Sequence, residues 1–151
     1  GGSTKSCFLF MKIIFDYNRT IYNPEQSELY AGIFNLLKSL SEIHQLYLIT
    51  QAEDSRHSEI QGLGIDSFFK EILYVDEKRK EHFEKVGGIE KAIVVGDRIR
   101  GEITLGNQLN HITIWVRQGK HAEVFPEQPG EYPTHTVEKV TDILEIIKSY
   151  E

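Results

Sequence analysis

Short runs of β-branched and aromatic residues alternate with helix-periodic segments along almost the whole chain, and this alternation restricts the fold more than any other feature. Lys12–Asp16 reads as a buried strand that stops at the polar turn Tyr17, Asn18, Arg19. Leu29, Ile33, Leu36, Leu37 and Leu40 then recur at helical steps, which predicts a helix over Ser27–Ser41 with those side chains on one face. A second strand follows over Leu46–Thr50, and then a helix from Glu53 to Gln61 that Gly62 and Gly64 close. Glu71–Val75 reads as a third strand, Lys80–Val86 as a helix stopped by Gly87 and Gly88, and Lys91–Val95 as a fourth strand. A helix over Ile99–Gln108, a fifth strand over Ile112–Val116 and a last helix over Val137–Ser149 complete the series. Gln118–Thr136 holds three of the four prolines and little periodicity, and reads as a surface loop.

Strands that alternate with helices imply right-handed βαβ units. The expected fold is therefore α/β: a single doubly wound domain over residues 11–151, with about five parallel strands, helices on both faces and ligands at the carboxyl ends of the strands. Residues 1–10 read as a tag or N-terminal extension, with Met11 a candidate start. The apolar stretch Cys7–Phe15 is too short to span a bilayer, is interrupted by Lys12 and lacks a small-residue cleavage site, so neither a membrane anchor nor a signal peptide is expected. A net charge of -6 and a pI near 5.5 argue against nucleic acid or an anionic membrane as partner. An anionic substrate would need local cations or a metal. With Cys7 the one cysteine, no internal disulfide can form, and a cytoplasmic location is expected.

The residues that interrupt the strands are unusual in kind. Asp16 ends the first, Thr50 the second and Gly96-Asp97 the fourth, while Lys78 and Lys80 lie just beyond the third. A parallel sheet brings all these ends to one edge. Asp16 and Asp97 suit a hard cation such as Mg²⁺, which takes one or two carboxylates and leaves positions for phosphate oxygens. A carboxylate cannot readily attack a phosphoryl group of like charge, and a metal with a lysine ammonium neutralises both.

This arrangement resembles the haloacid dehalogenase superfamily. Its first motif, DxDx(T/V), stands here as Asp16-Tyr17-Asn18-Arg19-Thr20; its second matches Leu48-Ile49-Thr50, and its GDxxxxD motif matches Gly96-Asp97 followed by Glu102. For the lysine motif, Lys78 stands best, five residues before Phe83, with Lys80 as competitor. The resemblance runs from about residue 11 to the end of the chain. It implies Asp16 as nucleophile and metal ligand, Asn18 lending the metal its backbone carbonyl, and Asp97 as a further ligand of Mg²⁺. Thr50 would hydrogen-bond the phosphoryl group of a phosphorylated substrate, Lys78 or Lys80 would neutralise it, and Glu102 would stand behind the metal ligands. Family members often insert a cap domain after the first or second motif. Here one helix and short loops consume both intervals, so no cap is expected. In the family, cap-less members go with large or accessible substrates, or with a neighbouring subunit acting as lid, hence a homo-oligomer.

Two positions depart from the family pattern. Asn18 replaces the acid that protonates the leaving alkoxide and then activates water, a group that typically contributes 10²–10⁴-fold. Arg19 replaces a small residue, and two adjacent departures favour natural divergence over a laboratory substitution. Hydrolysis is therefore expected to be weak or confined to good leaving groups; the alternative is a catalytically impaired metal- or partner-binding module. A receiver domain fits poorly, because it needs its phosphorylated aspartate after the third strand and a lysine after the fifth. No GxGxxG follows any strand, which removes a dinucleotide-binding domain. Taken singly, Thr50 is also a candidate helix cap, Asp97 an ordinary turn residue and Lys78–Lys80 a solvated charge run. The histidines lack metal-ligand spacing, Trp115 reads as core or a sheet-edge contact, and Arg98 and Arg100 stand close enough to Asp97 to touch an anionic substrate.

Overall fold

The computed structural model describes residues 10–88 and 90–151; the expected tag, except for Phe10, and Cys7 lie outside the described residues. In β1 (Lys12–Phe15), Ile13 and Phe15 point to one face and Ile14 to the other, and all three are fully buried. That is the two-residue period of a strand covered on both sides. A small antiparallel hairpin of β2 (Tyr22–Asn23) and β3 (Glu28–Leu29) follows, then α1 (Ile33–Ser41), β4 (Gln45–Gln51), α2 (Arg56–Gly62) and β5 (Phe69–Val75). The second half runs α3 (Lys80–Gly87), β6 (Ile93–Gly96), α4 (Thr104–Gln108), β7 (Ile112–Val116), β8 (His135–Val137) and α5 (Ile143–Lys148).

All six strands of the main sheet are parallel, in the order β5-β4-β1-β6-β7-β8. The chain winds outward from β1 through β4 to β5, returns to the other side of β1 at β6, and winds outward again. On one face, Leu36, Leu37 and Leu40 of α1, Ile60 of α2 and Ile143 and Ile147 of α5 pack with Phe15, Leu48 and Val95. On the other, Phe83 and Val86 of α3 and Leu105 of α4 pack with Ile14, Ile49 and Val94. Between β1 and β4 the chain inserts only the hairpin and α1, and between β4 and β5 only α2 and a short turn. No cap domain interrupts the sheet. Among the described residues, no helix is long and apolar enough to cross a membrane.

The structure corrects four expectations. The sheet has six strands where about five were expected, because β8 forms where the loop and the last helix were expected to meet. Thr134 pins it there: its hydroxyl accepts the Thr113 N–H at 3.0 Å, and its own N–H donates to Thr113 Oγ1 at 3.0 Å. The last helix therefore begins only at Ile143. The helix expected over Ser27–Ser41 begins at Ile33, since Ser27 (φ 54°) and Gly32 (φ 82°) are left-handed and Leu29 pairs with Tyr22 in the hairpin. The helix expected over Ile99–Gln108 is broken at Arg100 and Gly101, whose backbones are not helical, before α4 resumes at Thr104.

Leu37→Ala, which removes a fully buried side chain between α1 and the sheet, is expected to cost about 2–5 kcal/mol. Phe34→Ser, on the exposed side of the same helix, should cost far less. Urea unfolding of the two variants checks the difference.

Candidate active site

The sheet order changes direction between β1 and β6, and in open α/β sheets the crevice at such a point, beyond the carboxyl ends of the strands, is where ligands bind. Asp16 leaves β1 there, its N–H donating to the Val95 carbonyl at 3.0 Å, and Asp97 follows the last residue of β6. Thr50 lies near the end of β4, and Lys78 on the segment between β5 and α3. The fold thus brings Asp16, Asn18, Thr50, Lys78, Asp97 and Glu102 to one open cleft of about 560 Å³. Lys80 is different: it is the first residue of α3, exposed and outside that cleft. Of the two competing lysines, Lys78 is the one that meets Asp16.

Three buried carboxylates converge at the floor. Asp16, Asp97 and Glu102 each present an oxygen within 4.8 Å of the others. The Lys78 ammonium donates to Asp16 Oδ1 and lies 3.4 Å from Glu102 Oε2, while the Thr20 hydroxyl donates to Asp16 Oδ2 at 3.3 Å. Burial raises the Asp16 carboxyl, but the Lys78 charge, with hydrogen bonds from Asp97 and Lys78, outweighs it and holds Asp16 below the ordinary aspartate range. Burial likewise disfavours the Lys78 charge, but Asp16 and Glu102 outweigh it and hold the ammonium above its usual range. Asp97 is left in surplus: burial and the charges of Asp16 and Glu102 push its carboxyl well above the carboxylate range.

Glu102 does more than stand behind. Its Oε1 accepts the backbone N–H groups of Asp97 at 3.1 Å and Arg98 at 3.0 Å, so it clamps the turn that carries Asp97. Only glycine at position 96 allows this, because a Cβ there would lie 2.1 Å from Glu102 Cγ. The helix break at Arg100 and Gly101 separates Glu102 from the regular helix that begins at Thr104. From the other side, the Trp115 indole N–H donates to the Asp97 carbonyl at 3.0 Å, a polar role for a residue expected as core or a sheet-edge contact.

Arg56 was not legible as a site residue. It is buried at the start of α2 and donates both to Thr50 Oγ1 and, at 3.1 Å, to the Gln51 carbonyl. Its guanidinium carbon lies 4.8 Å from the centre of the Tyr17 ring, whose hydroxyl donates to Glu59 at 2.7 Å. Since arginine can only donate, Thr50 accepts from it and keeps its own O–H for a ligand in the cleft. The signal available in the sequence was an arginine one helical turn from Glu53 and Glu59, a spacing that surface helices share.

The donor set fits a hard divalent cation. It is all oxygen, it carries more negative charge than Lys78 offsets, and it is buried with a proton held where a cation would relieve the repulsion. Asp16, Asp97 and the Asn18 carbonyl are the groups that would hold Mg²⁺, with Glu102 within reach.

No family model matches the chain. Against curated proteins, the chain is 23% identical over 135 residues to the putative HAD-hydrolase YfnB of Bacillus subtilis, covering 82% of this chain and 56% of that protein. It is 28% identical over 124 residues to the glyceraldehyde 3-phosphate phosphatase of Pyrococcus furiosus, covering 75% of this chain and 51% of the relative. The chain thus spans about half the length of the curated relatives it matches. The crystal structure of YfnB bound to magnesium superposes with a TM-score of 0.67 at 22% identity, over 80% of this chain and 56% of that one. A putative haloacid dehalogenase-like hydrolase from Burkholderia xenovorans superposes with a TM-score of 0.77 at 13% identity, over 93% and 98% of the two chains.

A native Asp97 that keeps its proton gives up stability as pH rises above the ordinary aspartate range, since the unfolded chain then releases a proton that the folded one holds. Asp97→Asn removes that loss. In metal-free buffer at neutral pH the variant is expected to melt about 2–4 °C higher, the equivalent of about 1 kcal/mol, and to lose the stabilisation that Mg²⁺ gives the parent. Thermal melts of both proteins, with EDTA and with Mg²⁺, check both expectations.

Proposed function

We propose that this chain, a member of the haloacid dehalogenase superfamily, is a Mg²⁺-dependent phosphohydrolase that works through an aspartyl-phosphate on Asp16. The observation that carries the reading is the Asp16 carboxylate at the mouth of β1, ionised against Lys78 and flanked by Asp97 and Glu102 at the point where the sheet order reverses. Glyceraldehyde 3-phosphate phosphatases among the relatives support a phosphate-ester substrate.

Asp16 is the nucleophile because it keeps its charge while buried, and Lys78 draws its oxygen and the incoming phosphoryl group to one place. Thr50, its lone pair engaged by Arg56, donates to a phosphoryl oxygen. Asp16, Asp97 and the Asn18 carbonyl would hold Mg²⁺, which when bound would supply the remaining positive charge for the phosphoryl oxygens. In the first half-reaction a bond forms between an Asp16 oxygen and phosphorus as the bond to the leaving oxygen breaks. In the second, water attacks phosphorus, inorganic phosphate leaves and the Asp16 carboxylate is restored.

Neither half-reaction finds a proton carrier at position 18. The Asn18 amide lines the cleft but can neither protonate a leaving alkoxide nor deprotonate water. Activated phosphates, whose leaving groups need no proton, are the substrates that suffer least. The same residue favours a second reading, a metal- or partner-binding module with residual turnover.

Mg²⁺-dependent release of p-nitrophenol from p-nitrophenyl phosphate is expected, and Asp16→Asn should abolish it. Undiminished turnover in that variant would refute the nucleophile. Asn18→Asp is expected to raise turnover of an alkyl phosphate by about 10²-fold or more. If it leaves turnover unchanged while Mg²⁺ still binds, the binding-module reading prevails.

A further inference from the structure

We propose that the cleft is built for a substrate carrying a second anionic group, a bisphosphate or a phosphorylated acid, whose distal anion is taken by Arg19, Arg98 and Lys120 beside His121. This rests on the phosphohydrolase reading and names the substrate class for that site.

The groups assigned to the transferred phosphoryl, Lys78 and Thr50 with Arg56 behind it, do not include these four. All four nevertheless line the same cleft. The loop that follows β7 is fastened onto the segment that follows Asp16. Gln118 Nε2 donates to the carbonyls of Arg19 and Thr20 at 3.2 and 3.1 Å, and its Oε1 accepts the Val140 N–H at 3.2 Å. Gly119, left-handed at φ 81°, lies so close over the Arg19 stem that a Cβ would come within 2.8 Å of Arg19 Cδ. Lys120 and His121 follow directly. Arg98 reaches the cleft from the Asp97 turn, and its charge, with those of Lys120 and Arg19, bears on the half-buried His121.

What sets these cations apart is that they face one cleft in an acidic chain of net charge -6, mostly without carboxylate partners. Among the described residues, the side chains of Arg98, Lys120 and His121 make no hydrogen bond or ion pair, and Arg19 Nε is buried with no acceptor. Arg19 does pair with Glu25, at 2.7 Å through Nη2. Arg100, the other arginine of this wall, differs: Glu127 at 2.8 Å and Glu131 at 3.1 Å occupy it. Asp76 and Glu77 also line the cleft and lie next to Lys78 in the chain, so the positive potential belongs to the β6 and β7 side. Like charges gathered with only Glu25 to offset them repel one another, and an anion seated among them reduces that repulsion. One phosphate group already has its partners deeper in the cleft. The surplus cations therefore select a second.

The test uses Asp16→Asn protein with Mg²⁺, which binds without turning over. Calorimetry compares α,ω-alkanediol bisphosphates of three to six carbons with alkyl monophosphates of the same length. The best bisphosphate is expected to bind at least about tenfold tighter than its monophosphate partner, by a margin that shrinks as salt rises, because the cations are partly exposed. Arg98→Gln with Lys120→Gln, both surface changes, should cut that margin below about threefold while melting like the parent. Equal affinities at every length, no binding of either series, or a preference that survives the double substitution would each overturn the proposal. The two readings separate cleanly. A parent protein that hydrolyses p-nitrophenyl phosphate without preferring bisphosphates keeps the hydrolase and loses the second-anion site. A preference without any hydrolysis does the reverse.

Discussion

Three buried carboxylates share one lysine at the end of β1, and much of the surrounding structure serves to hold that arrangement together. Buried charges of one sign are tolerated only where geometry and donors compensate them. Asp16 is compensated by Lys78 and Thr20. Glu102 has two backbone N–H groups and the far side of the same ammonium, yet burial and the Asp16 charge still raise its carboxyl. Asp97 has the least compensation, and its carboxyl is pushed furthest up. The missing side chain at Gly96, the helix broken at Gly101 and the Trp115 indole all act on that one turn. Its position relative to Asp16 is then set by the backbone bond between β1 and β6.

How much of this could be read from the residues depended on the length of the pattern. β1, β4 and β7 were legible within a residue or so, since each is a run of buried β-branched or aromatic side chains with a polar stop. The hairpin of β2 and β3 was not. Strands of two residues have no period, and Leu29 stands four residues before Ile33, where a helix face would also put it. β8 escaped for a similar reason: three residues, held by a Thr113–Thr134 pair that no local spacing announces.

The site divided along the same line. Asp16, Thr50 and Asp97 were legible because each is a polar residue where a hydrophobic strand stops. The sequence favoured Lys78 over Lys80 by its spacing to Phe83, and the structure places Lys78 on the cleft and Lys80 at the start of α3 outside it. Arg56 looked like any charged residue on a short helix. Its contact with Thr50 spans six positions across a strand end and a turn, a relation that periodicity does not encode.

Asn18 and Arg19, neighbours in the chain and both on the cleft, act on its electrostatics together. An acid at position 18 would add a fourth carboxylate to a floor that already leaves one carboxyl protonated. An amide there adds none, while the arginine beside it adds a positive charge to the wall where Arg98 and Lys120 already stand. Left-handed backbone at Arg19 (φ 63°) is costly for a residue with a side chain, and the Gln118 and Gly119 contacts hold it in place. The cleft is thus acidic at its floor, where Asp16, Asp97 and Glu102 meet, and carries Arg19, Arg98 and Lys120 along one wall.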